Sequence, residues 1–152
     1  PSCRAAQAIV NQVMTQYPDQ VRLLYHHYLL PQFANSRLAA QATLAAERLG
    51  RFQDYQNLIF DRQTEWAAIT DQEQLRQTFL TYAGELGLDK TKFSETMVSE
   101  EVAKAILADT RLGRDLGLTG TPSFFVNGRQ ISAPQLLSVV QSLISTNSAQ
   151  PN

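Results

Sequence analysis

Cys3 is the only cysteine in a chain of 152 residues, and it stands directly behind Pro1 and Ser2. A thiol at that position has two readings. It closes a Cys-Pro-Ser-Cys box whose first cysteine precedes Pro1, and the chemistry is then thiol–disulfide exchange. Or it is a small apolar residue at the start of a helix, since free cysteine is among the most buried residue types. A single cysteine cannot build a disulfide framework within the chain. Few other residues compete. His26 and His27 would point to opposite faces of a strand, and no Cys, Asp or Glu cluster has metal-ligand spacing, so a structural or surface role is the simpler reading and no metal is expected. Glu100 and Glu101 open a helix, where the dipole favours them. "GLTGTP" (117–122) lacks the Lys-Ser/Thr that a phosphate loop requires, and Gly117, Gly120 and Gly128 read as turn residues.

The elements that must position these residues follow from periodicity. Ala6, Ile9, Val10 and Val13 form one stripe of an amphipathic helix over 3–16. "YPDQ" (17–20) is a turn, because Pro18 cannot continue a helix. "VRLLYHHYLL" (21–30), closed by Pro31, reads as a buried strand, with 21–29 in a sheet. A helical block follows over about 36–117. Its first helix is capped by Ser36 and closed by Gly50. A second covers 52–66, with Phe52, Tyr55, Leu58 and Ile59 on one face. A third runs over 70–87, with Thr70 and Glu73 in capping-box spacing. A short helix is capped by Asp89. The last spans 99–117, is capped by Ser99, and turns Val102, Ala105, Ile106 and Leu112 inward.

Strand signals return at "TPSFFVNGRQIS" (121–132). Asn127-Gly128 between Ser123–Val126 and Arg129–Ile131 predicts a hairpin with a type I′ turn. Pro134 takes the first position of a final helix, and 146–152 reads as a flexible tail. The order is therefore helix, strand, helical block, hairpin, helix. It predicts an α/β sheet in one domain, 1–152, interrupted by a helical cap. Trp66, Phe52, Tyr55 and Phe60 are expected to pack that cap; an aromatic-lined substrate groove is the alternative.

Composition narrows the function. A hydrophobic fraction of 43%, a charged fraction of 18% and a net charge of −1 describe a globular chain. Charges of both signs are interspersed, leaving no basic face for nucleic acid and no polybasic patch for a membrane surface. No apolar run is long enough to span a bilayer.

With the elements in place, the chain resembles the DsbA-like thiol–disulfide oxidoreductases, which have a thioredoxin fold with a helical insertion. The most specific stretch is "DLGLTGTPSFFVNGRQI" (115–131), where that family usually has G-[VT]-x-G-T-P-[ST]-F-[FV]-[IV]-[ND]-G. "ERLGRFQDYQNLIF" (47–60), "LGLDKTKF" (86–93) and "SEEVAKAILADTRLGRDLG" (99–117) match its cap helices in order and spacing. The resemblance implies that Cys3 is the catalytic second cysteine of a C-x-x-C motif. It implies a first strand upstream of Pro1, a cis peptide at Thr121–Pro122, and a substrate backbone held by Thr121 and Pro122. Cys3 should then lie in the first turn of its helix, in contact with Pro122.

The function implied is disulfide exchange with substrate proteins through a mixed disulfide. No cofactor is needed beyond the redox-active disulfide. The partners implied are proteins bearing thiols or disulfides and a redox partner protein, with no nucleic acid. A membrane anchor upstream is compatible, and the setting implied is the periplasm or another exported location in a bacterium. Oxidase, reductase and isomerase share these motifs. Two rival functions stand beside this one: a redox-inactive binding module on the same fold, and a glutathione-dependent transferase or isomerase. The residue before Pro1 separates the first two.

Overall fold

The computed structural model describes residues 2–148. Its packing divides the chain into two compact units, one made of residues up to Tyr25 with those from Leu118 onward, the other of His26–Gly117.

The first unit contains helix α1 (Ser2–Gln16), strands β1 (Phe124–Val126) and β2 (Arg129–Ile131), a 3₁₀ turn at Ala133–Gln135, and helix α8 (Leu136–Ser148). The predicted stripe of α1 does face inward. Val10 and Val13 are buried with Leu136 and Val140 of α8, and Ile9, Phe124, Val126 and Ile131 pack on them. Burying a side chain of this size contributes roughly 1.5–3 kcal/mol, so α1, β1 and α8 are held by one shared core. The hairpin pairs Phe124 with Ile131 and Val126 with Arg129. Its turn residues Asn127 and Gly128 have φ of 49° and 80°, the positive pair that a type I′ turn demands. Pro134 falls in the 3₁₀ turn rather than at the first position of α8. Ser132 caps that turn, with its N–H and hydroxyl both donating to Gln135 Oε1. Helix α8 includes 146–148, and the rest of the predicted tail, 149–152, lies outside the described residues.

Residues 21–30 do not form the expected buried strand. They carry no regular structure, and Leu24 and Tyr25 are 64% and 39% exposed. Val21 and Leu23 do join the first unit's core, so the in-out alternation of a strand is present over 21–24. What is missing is the partner: among the described residues no second strand lies beside this one, and a strand exists only as part of a ladder.

The second unit is helical: α2 (Ser36–Arg48), α3 (Phe52–Asp61), α4 (Gln63–Trp66), α5 (Gln72–Glu85), α6 (Lys90–Met97) and α7 (Glu100–Asp115). Its main core gathers Ala42, Ala45, Tyr55, Trp66, Leu75, Phe79, Phe93 and Met97. Trp66 and Phe79 meet edge to face at 5.5 Å, and the buried Tyr55 hydroxyl donates to the Phe79 carbonyl at 2.8 Å. Tyr55 and Trp66 therefore pack the unit, while Phe52 and Phe60 are half-buried. A second cluster joins Ala40 and Leu44 of α2 to Val102 and Ile106 of α7, with Leu29 against them.

Caps and breaks follow local chemistry, in part at the residues expected. Asp89 and Ser99 accept from Lys92 and Val102 N–H as expected. Helix α2 ends in the expected glycine motif, with Gly50 at φ 76° and Arg51 N–H returning to the Ala46 carbonyl. At α2's start, however, Ser36 is already helical and donates to Phe33 O, while Asn35 holds the cap position. At α5 the cap is Asp71, accepting from Gln74 N–H at 2.6 Å, not Thr70. A carboxylate one residue along makes the stronger, charge-assisted bond. The expected single helix over 52–66 is two, broken at Arg62, and Trp66 Nε1 donates to the Ile59 carbonyl there at 2.8 Å. Leu112, expected inward, is 42% exposed.

Candidate functional site

The core of the first unit places Cys3. Val10 and Val13 fix α1 against Phe124 and Val126, so the N-terminal end of α1 is brought to the residues that precede β1. Cys3 lies in the first turn of α1 and is partly exposed. Its Sγ–H donates to Thr121 Oγ1 at 3.3 Å, across 118 positions of sequence. The peptide bond from Thr121 to Pro122 is cis. The loop is tied below by Ser123, whose hydroxyl donates to the Gly120 carbonyl at 2.9 Å. Cys3 thus meets the residue bonded to Pro122.

The chemistry available here is that of a thiol at a helix N-terminus. The first N–H groups of α1 have no intrahelical partners and offer positive potential to a developing thiolate. The thiolate is the nucleophile in exchange. Pro122 brings no N–H of its own.

Ser123 was not singled out from the sequence. Its signal was there, a serine three residues after Gly120 and able to bond back to the chain. The two histidines differ in exposure, although no strand sets them on opposite faces: the His26 side chain is 51% exposed, and His27 is 8% exposed. Among the described residues no group of three His, Cys, Asp or Glu could hold a metal ion, and no helix is long and apolar enough to cross a membrane.

The family described as Thioredoxin matches residues 1–146. The chain belongs to it. A thioredoxin-like oxidoreductase from Silicibacter pomeroyi has a similar structure, with a TM-score of 0.74 and 28% identity, over 95% of this chain and 80% of that one. DsbA from Pseudomonas aeruginosa superposes with a TM-score of 0.76 at 20% identity, over 98% of this chain and 79% of that one, a likeness of fold. A relative from Rickettsia prowazekii, provisionally named a protein-disulfide oxidoreductase, is 27% identical over 82% of this chain and 45% of its own length. A Na(+)/H(+) antiporter of Salinispora tropica is 30% identical over 88% of this chain. This chain spans 19% of that antiporter's length, so the matching stretch is a small part of a longer protein. The thioredoxin-like α/β fold with a helical insertion, and its DsbA-like form, are therefore those of this chain.

Proposed function

We propose that this thioredoxin-family chain is a protein thiol–disulfide oxidoreductase working through a Cys-Pro-Ser-Cys site whose first cysteine precedes Pro1. The observation that carries the proposal is the Cys3–Thr121 contact at 3.3 Å, which sets a thiol against the threonine side chain of a cis Thr-Pro pair. In the oxidised form the upstream cysteine and Cys3 share a disulfide. A substrate thiolate attacks the upstream sulfur, the S–S bond breaks, and Cys3 leaves as thiolate. A second substrate thiolate then attacks the mixed disulfide and releases the upstream thiolate. Two electrons pass from substrate to enzyme, and each thiolate released takes a proton from water. In the reverse direction Cys3 is the resolving nucleophile. Thr121 and Pro122 hold the substrate backbone. The disulfide is the only redox group required. The partners are proteins bearing thiols or disulfides and a protein that resets the site. Such chemistry persists in oxidising compartments, which points to the bacterial periplasm or another exported location.

The test uses the chain with cysteine placed immediately before Pro1, oxidised, and mixed with a reduced, unfolded protein. Loss of two substrate thiols per disulfide is expected, and the reduced Cys3→Ser chain, mixed instead with a disulfide-bearing protein, should trap a mixed disulfide through its upstream thiolate. A chain with native circular dichroism that consumes no thiol and traps no adduct would overturn the reading. A second reading rests on the presence of one cysteine in the chain: a redox-inactive binding module using the same loop. It requires peptide binding that survives Cys3→Ala unchanged.

A further inference from the structure

Asp109 spends both carboxylate oxygens on one short segment. Its Oδ1 lies 2.8 Å from His26 Nδ1, and its Oδ2 accepts the His27 backbone N–H at 2.8 Å. The next residues lie on the same helix: the Tyr28 ring lies against Gly113 of α7, and Leu29 packs with Ala40, Leu44, Val102 and Ile106. Residues 26–29 belong to no helix or ladder. They are tied to the second unit by one carboxylate, by packing, and by a buried imidazole.

We propose that Asp109 and His27 form an acid-operated clasp, which holds residues 26–29 on α7 at neutral pH and lets that segment open when the pH falls. The ring of His27 is the sensor, because opening takes it from the interior to water. Two titratable groups face it. Asp109, from α7, favours the charged ring; His26, on the same segment, opposes it; burial opposes it most, and the net effect lowers the His27 pKa from 6.5 to about 4. The neighbours of Leu29 on α2 and α7 are apolar.

The sign follows from which form binds the proton. With the segment open, His27 titrates near its ordinary 6.5; closed, near 4. Between those values the open form takes up a proton that the closed form refuses. The closed form keeps its full advantage above about pH 6.5 and loses it as the pH falls toward 4, below which the effect saturates. Across that window the opening equilibrium shifts by about 100-fold.

Amide hydrogen exchange of the whole chain at pH 7 and pH 4, corrected for intrinsic rates, tests this. Protection at His27, Tyr28 and Leu29 is expected to fall about 100-fold more than at Leu80, Tyr82 and Ala83 in α5. His27→Leu, which cannot titrate, is expected to abolish that difference. Asp109→Asn is expected to cost tenfold or more of the His27 protection already at pH 7. The proposal fails if both regions lose protection in parallel, which is global unfolding, or if residues 27–29 stay protected at pH 4. It also fails if the His27→Leu chain keeps the wild-type drop. The wild-type comparison alone decides the matter should either variant fail to fold.

Discussion

Gly113 of α7 lies under the ring of Tyr28 so closely that a Cβ there would meet both Cδ2 and Cε2, the latter at 2.7 Å. The ring cannot move away without leaving α7, so the glycine is required by contact and not by its backbone angles. Gly113→Ala is expected to destabilise the chain by about 1–3 kcal/mol, despite alanine's better helix propensity. Urea unfolding of the two chains measures it, and an unchanged midpoint would show that the ring yields.

Gly84 of α5 is the control. The three atoms nearest to a Cβ there are Cε, Nζ and Cδ of Lys90, the end of a flexible side chain. Gly84→Ala should be neutral or stabilising by up to about 1 kcal/mol. A loss of more than that in the same unfolding assay would mean that Lys90 is held in place.

Gln56 is 2% exposed, and its Nε2 has no partner among the described residues. An amide donor buried without an acceptor costs about 1–3 kcal/mol. Gln56→Met keeps the length and removes the donor. It is expected to raise the thermal midpoint, and a fall would reveal an acceptor, such as a bound water, that the amide needs.

The cap of α5 gives a sharper comparison. Asp71→Ala should cost about 1 kcal/mol, while Thr70→Ala, one residue earlier, should cost almost nothing. Equal losses in denaturant titrations would return the cap to Thr70. The two residues are both good caps, and spacing to Glu73 favoured the threonine. The structure gives the Glu73 carboxylate to Arg76 and Gln77 instead.

That ion pair sets a measurable titration. Hydrogen bonds from Arg76 and then Gln77 hold the Glu73 carboxyl down at about 2, below its usual 4.5. A depressed carboxyl favours the folded state above 4.5, and this contribution disappears as the pH falls through about 2. Carboxyl carbon shifts of Glu73 should show the low midpoint, and Arg76→Met should bring it back toward 4.5. High salt should do part of the same, since the pair is exposed. A midpoint near 4.5 in the unaltered chain would mean that the pair does not persist in solution.

How much of this was legible depended on whether the determinant was local. Asn127-Gly128, Gly50, Asp89 and Ser99 act on their own neighbours, and each does what its spacing implied. The stripe of α1 and the glycine-ended helices also follow from period 3.6 alone. Residues 21–30 failed because a strand needs a partner backbone, which composition does not supply. The break at Arg62 has no proline or glycine to announce it; a tryptophan indole reaching Ile59 O marks it. Asp109 went unseen because a carboxylate within an amphipathic helix reads as solvated, and only the folded chain brings His26 and His27 to it. The pairing of Cys3 with the Thr121–Pro122 loop came from resemblance to a family, since no periodicity links positions 118 apart.

That separation has a consequence during synthesis. Cys3 leaves the ribosome well before its hydrogen-bond partner, which is the 118th residue after it. At about 5–20 residues per second the thiol waits on the order of 6–24 s before Thr121 exists. The helices of the second unit, each built from nearby contacts, can form during that wait. The hairpin and α8, which close the core around α1, follow those helices. For that interval Cys3 lacks the Thr121 hydroxyl and the loop that later lie against it, and its sulfur is open to any oxidant or disulfide that reaches the growing chain.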